Sequence, residues 1–392
     1  MRMMRFAAAL LALAGAIFPV CETHADDEFT LKFGFSPNEM YPLATPLNVA
    51  GAHDMLSIGI DHVFGHSALA RGTAMAFDEF VGFHLSIIGH EYGGHAEAFF
   101  QMTGHGASVT IGLFNQSHAN VSVNSLDPET RRKFNNEGGG TILDAAGLNY
   151  QANLGEMLTK RTLGRVMRAR EHLMRLTNDI SLLAYVVPTH RPNIHRLMVA
   201  NDLTSYMTDV TGSRLYRADR LYNQLLAGGV WQALGSWIDI YGAGTYLLYG
   251  EELTLPRTWV RPETTLTPYG VEYGLLVSTL DIPGLGSAAA HFYAGGGESL
   301  SALSKNMLRA KVEVENFAFP YLGTKVSLGV EYYRNSAEGL TFHAEAIQPL
   351  TKHVGLGVEA RVKPFRGFSP DFYSLPNNPW SARYTALITV TP

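Results

Sequence analysis

The clearest pattern in the chain is an alternation of apolar and polar side chains that sets in after Trp259. Leu308, Ala310, Val312 and Val314 are interleaved with Arg309, Lys311, Glu313 and Glu315. Val326, Leu328, Val330 and Tyr332 alternate with Ser327, Gly329, Glu331 and Tyr333, and the rhythm continues through residues 340–346 and 354–361. A last run at 383–391 carries Tyr384, Ala386, Ile388 and Val390 on one face. Successive side chains of a strand point to opposite faces, so each run predicts a strand with one apolar and one polar side. Strands of about ten residues separated by turn residues are the pattern of a transmembrane barrel, apolar outside and polar or small inside. A soluble antiparallel sandwich would alternate too. About seven such strands are legible, close to the eight of the smallest barrels, so closure needs strands from elsewhere.

Residues 70–250 follow a different period. Phe77, Phe80, Val81, His84, Leu85 and Ile88 recur at helical spacing. Further helices are expected at 141–161, 163–176, 180–187, 197–210 and 216–226. Residues 225–249 are long enough to cross a bilayer, but Asp239 and the five glycines argue for a buried or lipid-adjacent helix. Residues 26–69 are punctuated by Pro and Gly, with extended pieces expected at 29–35 and 55–63. Their histidines, His53, His62 and His66, read as ordinary loop or strand polar groups. Residues 1–25 read as a secretory signal, with Arg2 and Arg5 before an apolar run and a small-residue cleavage site ending at Ala25. The single cysteine, Cys21, lies inside that segment, so the exported chain needs no disulfide.

At 392 residues the chain exceeds a typical single domain. The expected architecture is α+β: a signal at 1–25, an irregular segment at 26–69, a helical metal-binding unit at 70–250 and an antiparallel β-barrel of outer-membrane type at 251–392. Net charge is −5 and there is no basic run, which argues against a nucleic-acid partner. Export, with 18 Tyr and 20 Phe, points to the outer membrane of a Gram-negative-type envelope, with the periplasm as second choice and membrane lipid as a partner.

The chemistry concentrates in residues 87–105. His90, Glu91 and His95 form an H-E-x-x-x-H pattern within an apolar helix. Two imidazoles one turn apart offer a zinc ion two ligands, and the glutamate next to the first can act as general base toward water. The spacing matters. Histidines four apart lie about 40° from alignment on a regular helix, whereas five apart puts them about 140° apart. An extra residue absorbed as a π-bulge would bring His90 and His95 together, and Gly93-Gly94 would ease that distortion. A regular helix would instead place His84, Glu91 and His95 on one face.

His90-Glu91-Tyr92-Gly93-Gly94-His95 resembles the H-E-x-G-H helix of the site-2 group of zinc metallopeptidases with one residue inserted. The inserted spacing is similar to the H-E-x-x-x-H of dipeptidyl peptidase III. A hairpin-like pair at 107–114 and 118–124, then Ala146-Gly147-Leu148-Asn149, follow in the site-2 order, although Leu148 stands where that group usually has proline. The resemblance covers residues 80–160.

A catalytic zinc needs a third protein ligand, leaving a position for water. The resemblance implies an aspartate on a later helix, and Asp202 fits first, with Asp209, Glu156, Asp144 and His195 as alternatives. The expected activity is zinc-dependent hydrolysis of a peptide or protein, with Glu91 as base and Tyr92 as one donor to the oxyanion. Two other classes remain: a membrane channel or scaffold with a non-catalytic histidine cluster, and a hydrolase of lipid or acyl groups.

Overall fold

A computed structural model describes residues 31–390, apart from 37–38, 64–66, 112–119, 124–125, 165, 190–200, 213–214, 283–285, 298–305, 319–322, 336, 371 and 379. The expected signal segment with Cys21, and also His66 and His195, lie outside the described residues.

The chain opens with strand β1 (Leu31–Phe35) and a 3-10 turn at Pro42–Ala44, which leads into helix α1 (Pro46–Val63). The piece expected to be extended at 55–63 is therefore helical, and helices begin well before residue 70. Helix α2 (Ala68–Ile88) starts on Ser67, whose side chain accepts from the Ala70 amide. It continues without a break into a π-helical segment, Gly89–Ala96, and then α3 (Glu97–Thr103). Gly104 ends this long rod in the left-handed conformation, φ 73°, which favours glycine. The hairpin follows as β2 (Ala107–Thr110) paired with β3 (Asn120–Val123).

Then come α4 (Pro128–Asn136), α5 (Gly139–Thr162), β4 (Val166–Met167), α6 (Ala169–Asp179), α7 (Ser181–Val186), α8 (Asp202–Thr211), α9 (Leu215–Ala233) and α10 (Trp237–Tyr249). The stretch at 225–249 is not one helix: a 3-10 turn at Leu234–Ser236 divides it, and Asp239 beyond the break is fully buried against Arg175 and His172. After β5 (Leu253–Thr254), which pairs with β4, come β6 (Thr258–Thr267), β7 (Gly270–Ile282), β8 (Gly286–Gly297), β9 (Asn306–Ala318), β10 (Lys325–Arg334), β11 (Glu338–Pro349), β12 (Val354–Lys363) and β13 (Ser381–Val390).

With β1, the strands β6–β13 form one antiparallel sheet of nine strands in the order β1-β13-β12-β11-β10-β9-β8-β7-β6. The expected β-barrel is not formed. The sheet is open, with β1 and β6 as its edges, and helices meet both. On α1, Asn48 accepts from the Gly34 amide (2.8 Å) and donates to the Gly34 carbonyl (2.7 Å). On α5, Asn149 accepts from the Leu266 amide (2.8 Å) and donates to its carbonyl (2.7 Å). A side-chain amide thus does for each edge what a neighbouring strand would do, removing unpaired groups that otherwise invite further pairing. Alternation predicts strands and their faces but says nothing about closure.

The cores lie between helices and sheet. Leu148, Tyr206, Leu221 and Leu225 pack with Leu266 and Val271, while Ala98, Ile142 and Ala146 pack with Met307 and Phe368. Helix α5 belongs to both clusters and is buried on several sides, so it is the beam on which the site is built. One face of the sheet is polar and is met by α5, with Arg261, Glu272, His291, Arg309, Lys311, Glu313 and Glu331 all buried there, whereas Leu266 and Val271 meet α8 and α9 on the other face.

Candidate metal centre

Within Gly89–Ala96 the backbone is π-helical. The i→i+5 bonding of a π-helix sets residue 95 over residue 90, so the five-residue spacing becomes an alignment. His90 and His95 face each other with their Nε2 atoms 3.1 Å apart. Asp202, in the first turn of α8, closes the triangle, with Oδ2 3.0 Å from His90 Nε2 and 3.2 Å from His95 Nε2. Asn201 caps that helix by accepting from the Thr204 amide (2.8 Å), and the positive end of the helix favours the Asp202 carboxylate.

The glycines of the motif serve close approach rather than unusual backbone angles. None of Gly89, Gly93, Gly94 and Gly147 has positive φ. A Cβ on Gly89 would lie 2.3 Å from Tyr150, one on Gly93 2.1 Å from the Ala44 carbonyl, and one on Gly94 2.7 Å from Gly147 Cα. A Cβ on Gly147 would lie 2.3 Å from His90 Nε2. Helix α5 and the π segment are therefore in backbone contact, and glycine is what lets them meet.

The outer ring nitrogens settle the tautomers. His95 Nδ1 lies 2.6 Å from the Leu143 carbonyl, which can only accept, so Nδ1 carries the hydrogen and the neutral ring presents a bare Nε2. His90 Nδ1 lies 3.0 Å from Gln151 Oε1 and is oriented in the same way. With both rings neutral, two imidazole nitrogens and a carboxylate oxygen converge as three acceptors, a donor set suited to a cation. Ligand atoms around a tetrahedral zinc, with bonds of about 2.0–2.2 Å, stand about 3.4 Å apart. The observed 3.0–3.2 Å is within a few tenths of that. Outer hydrogen bonds from ligating histidines to carbonyl groups are the usual support of such sites.

Without a cation, a proton on His95 takes that place. Burial opposes charge on His95, yet the Asp202 carboxylate, with Glu91 and the Leu143 carbonyl, carries its pKa up to about 9. Burial would raise Asp202, but His95 and His90 hold it well below the usual carboxylate range. Glu91 is buried in the π segment and its pKa is raised by that burial, an effect moderated by His90 and His95. His90 and His95 are almost fully enclosed, whereas 31% of the Asp202 side chain is exposed, so the open side of the site lies at Asp202.

Of the alternatives, His84 points its Nδ1 at the Phe80 carbonyl (2.7 Å) and is not among the converging groups. Asp144 is pushed up to about 8 by burial and by Asp209, and neither carboxylate joins the triangle. Glu156 belongs to a second cluster with His291 and Glu313, and a third joins His343, Glu345 and Glu359. Both of these already have protein cations. Lys160 bonds to Glu156 (2.9 Å) and Glu313, Lys311 bonds to Glu313 (2.7 Å), Lys32 bonds to Glu345, and Arg361 bonds to Glu359. Among the described residues no Lys or Arg is bonded into the His90–His95–Asp202 triangle.

Tyr92 packs edge-on against Tyr41, with centroids 5.2 Å apart, rather than toward the ligand triangle. The phenol near the triangle is Tyr185 of α7, stacked on His90 with its Oη 3.5 Å from His90 Nε2. Sequence reasoning missed Tyr185, Gln151 and the Leu143 carbonyl. Gln151 had a legible signal, because it stands four residues after Gly147 on one face of α5; the other two had none. Compared with known proteins, the chain matches no family model, no curated protein and no solved structure.

Proposed function

We propose that this protein is a zinc-dependent hydrolase, most simply a peptidase, in which His90, His95 and Asp202 hold the ion and Glu91 is the general base. The observation that carries this reading is the convergence of three acceptor atoms within 3.0–3.2 Å, with both imidazoles oriented from behind. A zinc ion held there would polarise a substrate carbonyl and make a bound water more acidic. Glu91, adjacent to one ligand and close enough to feel the charges of His95 and Asp202, takes a proton from the attacking water as its oxygen bonds to the carbonyl carbon. The same carboxyl returns that proton to the leaving amine as the carbon–nitrogen bond breaks. Tyr185 donates its hydroxyl hydrogen to the oxygen that gains charge.

The test is Glu91→Gln in the full chain, assayed against a mixed peptide library with zinc content measured in parallel. Loss of cleavage with zinc retained supports the reading. Unchanged cleavage by Glu91→Gln removes Glu91 as base. Absence of cleavage by a zinc-loaded wild type, against both peptides and acyl esters, favours the non-catalytic scaffold.

A further inference from the structure

The outward face of the sheet inverts the partition of a water-soluble protein. Phe292, Leu328, Phe342, Leu356, Val358 and Tyr384 are each about half exposed, at 46–65%, while the charged residues between them face inward, Arg309, Lys311, Glu313, Glu331 and Glu345 buried and Glu359 and Arg361 half-buried. The register sets the apolar residues side by side: Val330 opposes Val312 and Phe342, Ala346 opposes Val358, and Leu356 opposes Ile388. None of the outward residues within 308–314, 326–332, 340–346, 356–362 and 384–390 is charged. The rims are different. Arg334 and Glu338 stand exposed at one end of the strands, Lys352 and His353 at the other.

The apolar exterior does not stop at the sheet. Helix α1 packs on β1, α2 on α1, α10 on α2, and α9 on β6, so helices bridge the two edges. They too carry apolar side chains outward: Leu69 (82% exposed), Phe77 and Phe80 on α2, and Ile240, Tyr241 and Leu248 (68%) on α10.

We propose that this girdle lies against the acyl chains of a lipid bilayer. Its height fits. Each outward apolar run named above spans seven residues, which at about 3.3 Å per residue is ~23 Å, comparable to the ~25 Å apolar band of outer-membrane proteins. Its extent also argues for lipid over a second copy of the chain, because a two-fold contact covers one patch and the exposure here runs over both sheet and helices. Among the described residues no helix is long and apolar enough to cross a membrane, so the embedded surface is chiefly the sheet. The edge contacts made by Asn48 and Asn149 suit that setting, since a backbone group left unpaired in lipid is costly.

The test uses the full chain with Cys21→Ser and single substitutions Phe342→Cys, Val358→Cys, Ile240→Cys and Lys352→Cys. Each is nitroxide-labelled and reconstituted into phosphatidylcholine vesicles. Labels at 342, 358 and 240 are expected to collide more with oxygen than with a water-soluble nickel chelate, and the label at 352 to do the reverse. The proposal is overturned if 342 and 358 favour the nickel chelate. It is equally overturned if the chain stays in solution without detergent and labels at 358 broaden one another, since a second copy then covers the face. Zinc binding is not read here, so the outcome is independent of the proposed hydrolase.

Discussion

Gly147→Ala is a sharp probe of the metal centre because it changes one methyl group and no ligand. The added Cβ would sit 2.3 Å from His90 Nε2, 2.5 Å from Cε1 and 2.6 Å from Cδ2. Ordinary contact begins near 3.4 Å, so the His90 ring must retreat by about 1.1 Å, the difference between 3.4 and 2.3 Å. Metal–ligand bonds tolerate about ±0.2 Å, so this displacement removes His90 from the coordination sphere or drags α5 outward. Backing away is obstructed, since Gln151 holds Nδ1 from behind and Tyr185 stacks on the ring. Disturbing a group that orients a ligand typically costs 10–100-fold in metal affinity, and we expect Gly147→Ala to lose at least about that much. Overpacking costs roughly 1–3 kcal/mol, more than the ~1 kcal/mol that replacing a helical glycine by alanine returns, so stability falls as well. Gly244 in α10 is the control: its Cβ would meet nothing within 4 Å, and Gly244→Ala should bind zinc normally and be neutral or slightly stabilised. The assay is competition for zinc against a chromophoric chelator, with thermal melts alongside. If Gly147→Ala binds zinc as tightly as wild type, the packing of His90 against α5 does not set the site.

Tyr185 and Glu39 each give a further prediction. Tyr185→Phe should lower kcat by about 10²–10³ with zinc content unchanged, as expected of an oxyanion donor, whereas a fall in zinc affinity would make the phenol a ligand instead. Glu39 is pushed up to about 7 by burial and by Glu97 and Glu359, against the opposing pull of Arg383 and Arg361. Folding therefore favours its protonated form, and its contribution to stability declines as pH rises from its ordinary value near 4.5 through 7. Urea midpoints measured across that interval should fall less steeply with pH in Glu39→Gln, and an unchanged slope would refute the assignment.

Much of this could be read from the chain, and the failures have physical causes. The strands after Trp259 and their two faces were legible because a strand has a strict two-residue period. Closure was not, because the edge contacts come from side chains on helices, Asn48 on Gly34 and Asn149 on Leu266, and nothing in the alternation reports them. The five-residue histidine spacing pointed to two incompatible helices, one π-bulged around His90 and His95 and one regular around His84, Glu91 and His95. Only the π-helical backbone distinguishes them. Gly93 and Gly94 matter for close approach rather than for backbone freedom: they admit the Ala44 carbonyl and α5, and neither has a positive φ. Asp202 was suggested by resemblance and by its place at a helix start, a position where a carboxylate is favoured. Tyr185 sits in a short apolar helix with no periodic or motif signal, so only packing reveals it.

We propose that His90, His95 and Asp202 hold one metal ion between them. The most direct test is the zinc content of the purified, detergent-solubilised chain, wild type beside His95→Ala, Asp202→Ala and His84→Ala. We predict one zinc per chain in wild type and His84→Ala, and none in His95→Ala or Asp202→Ala. A wild type that takes up no zinc when supplied with it would rule out this site, as would an Asp202→Ala variant that keeps its zinc.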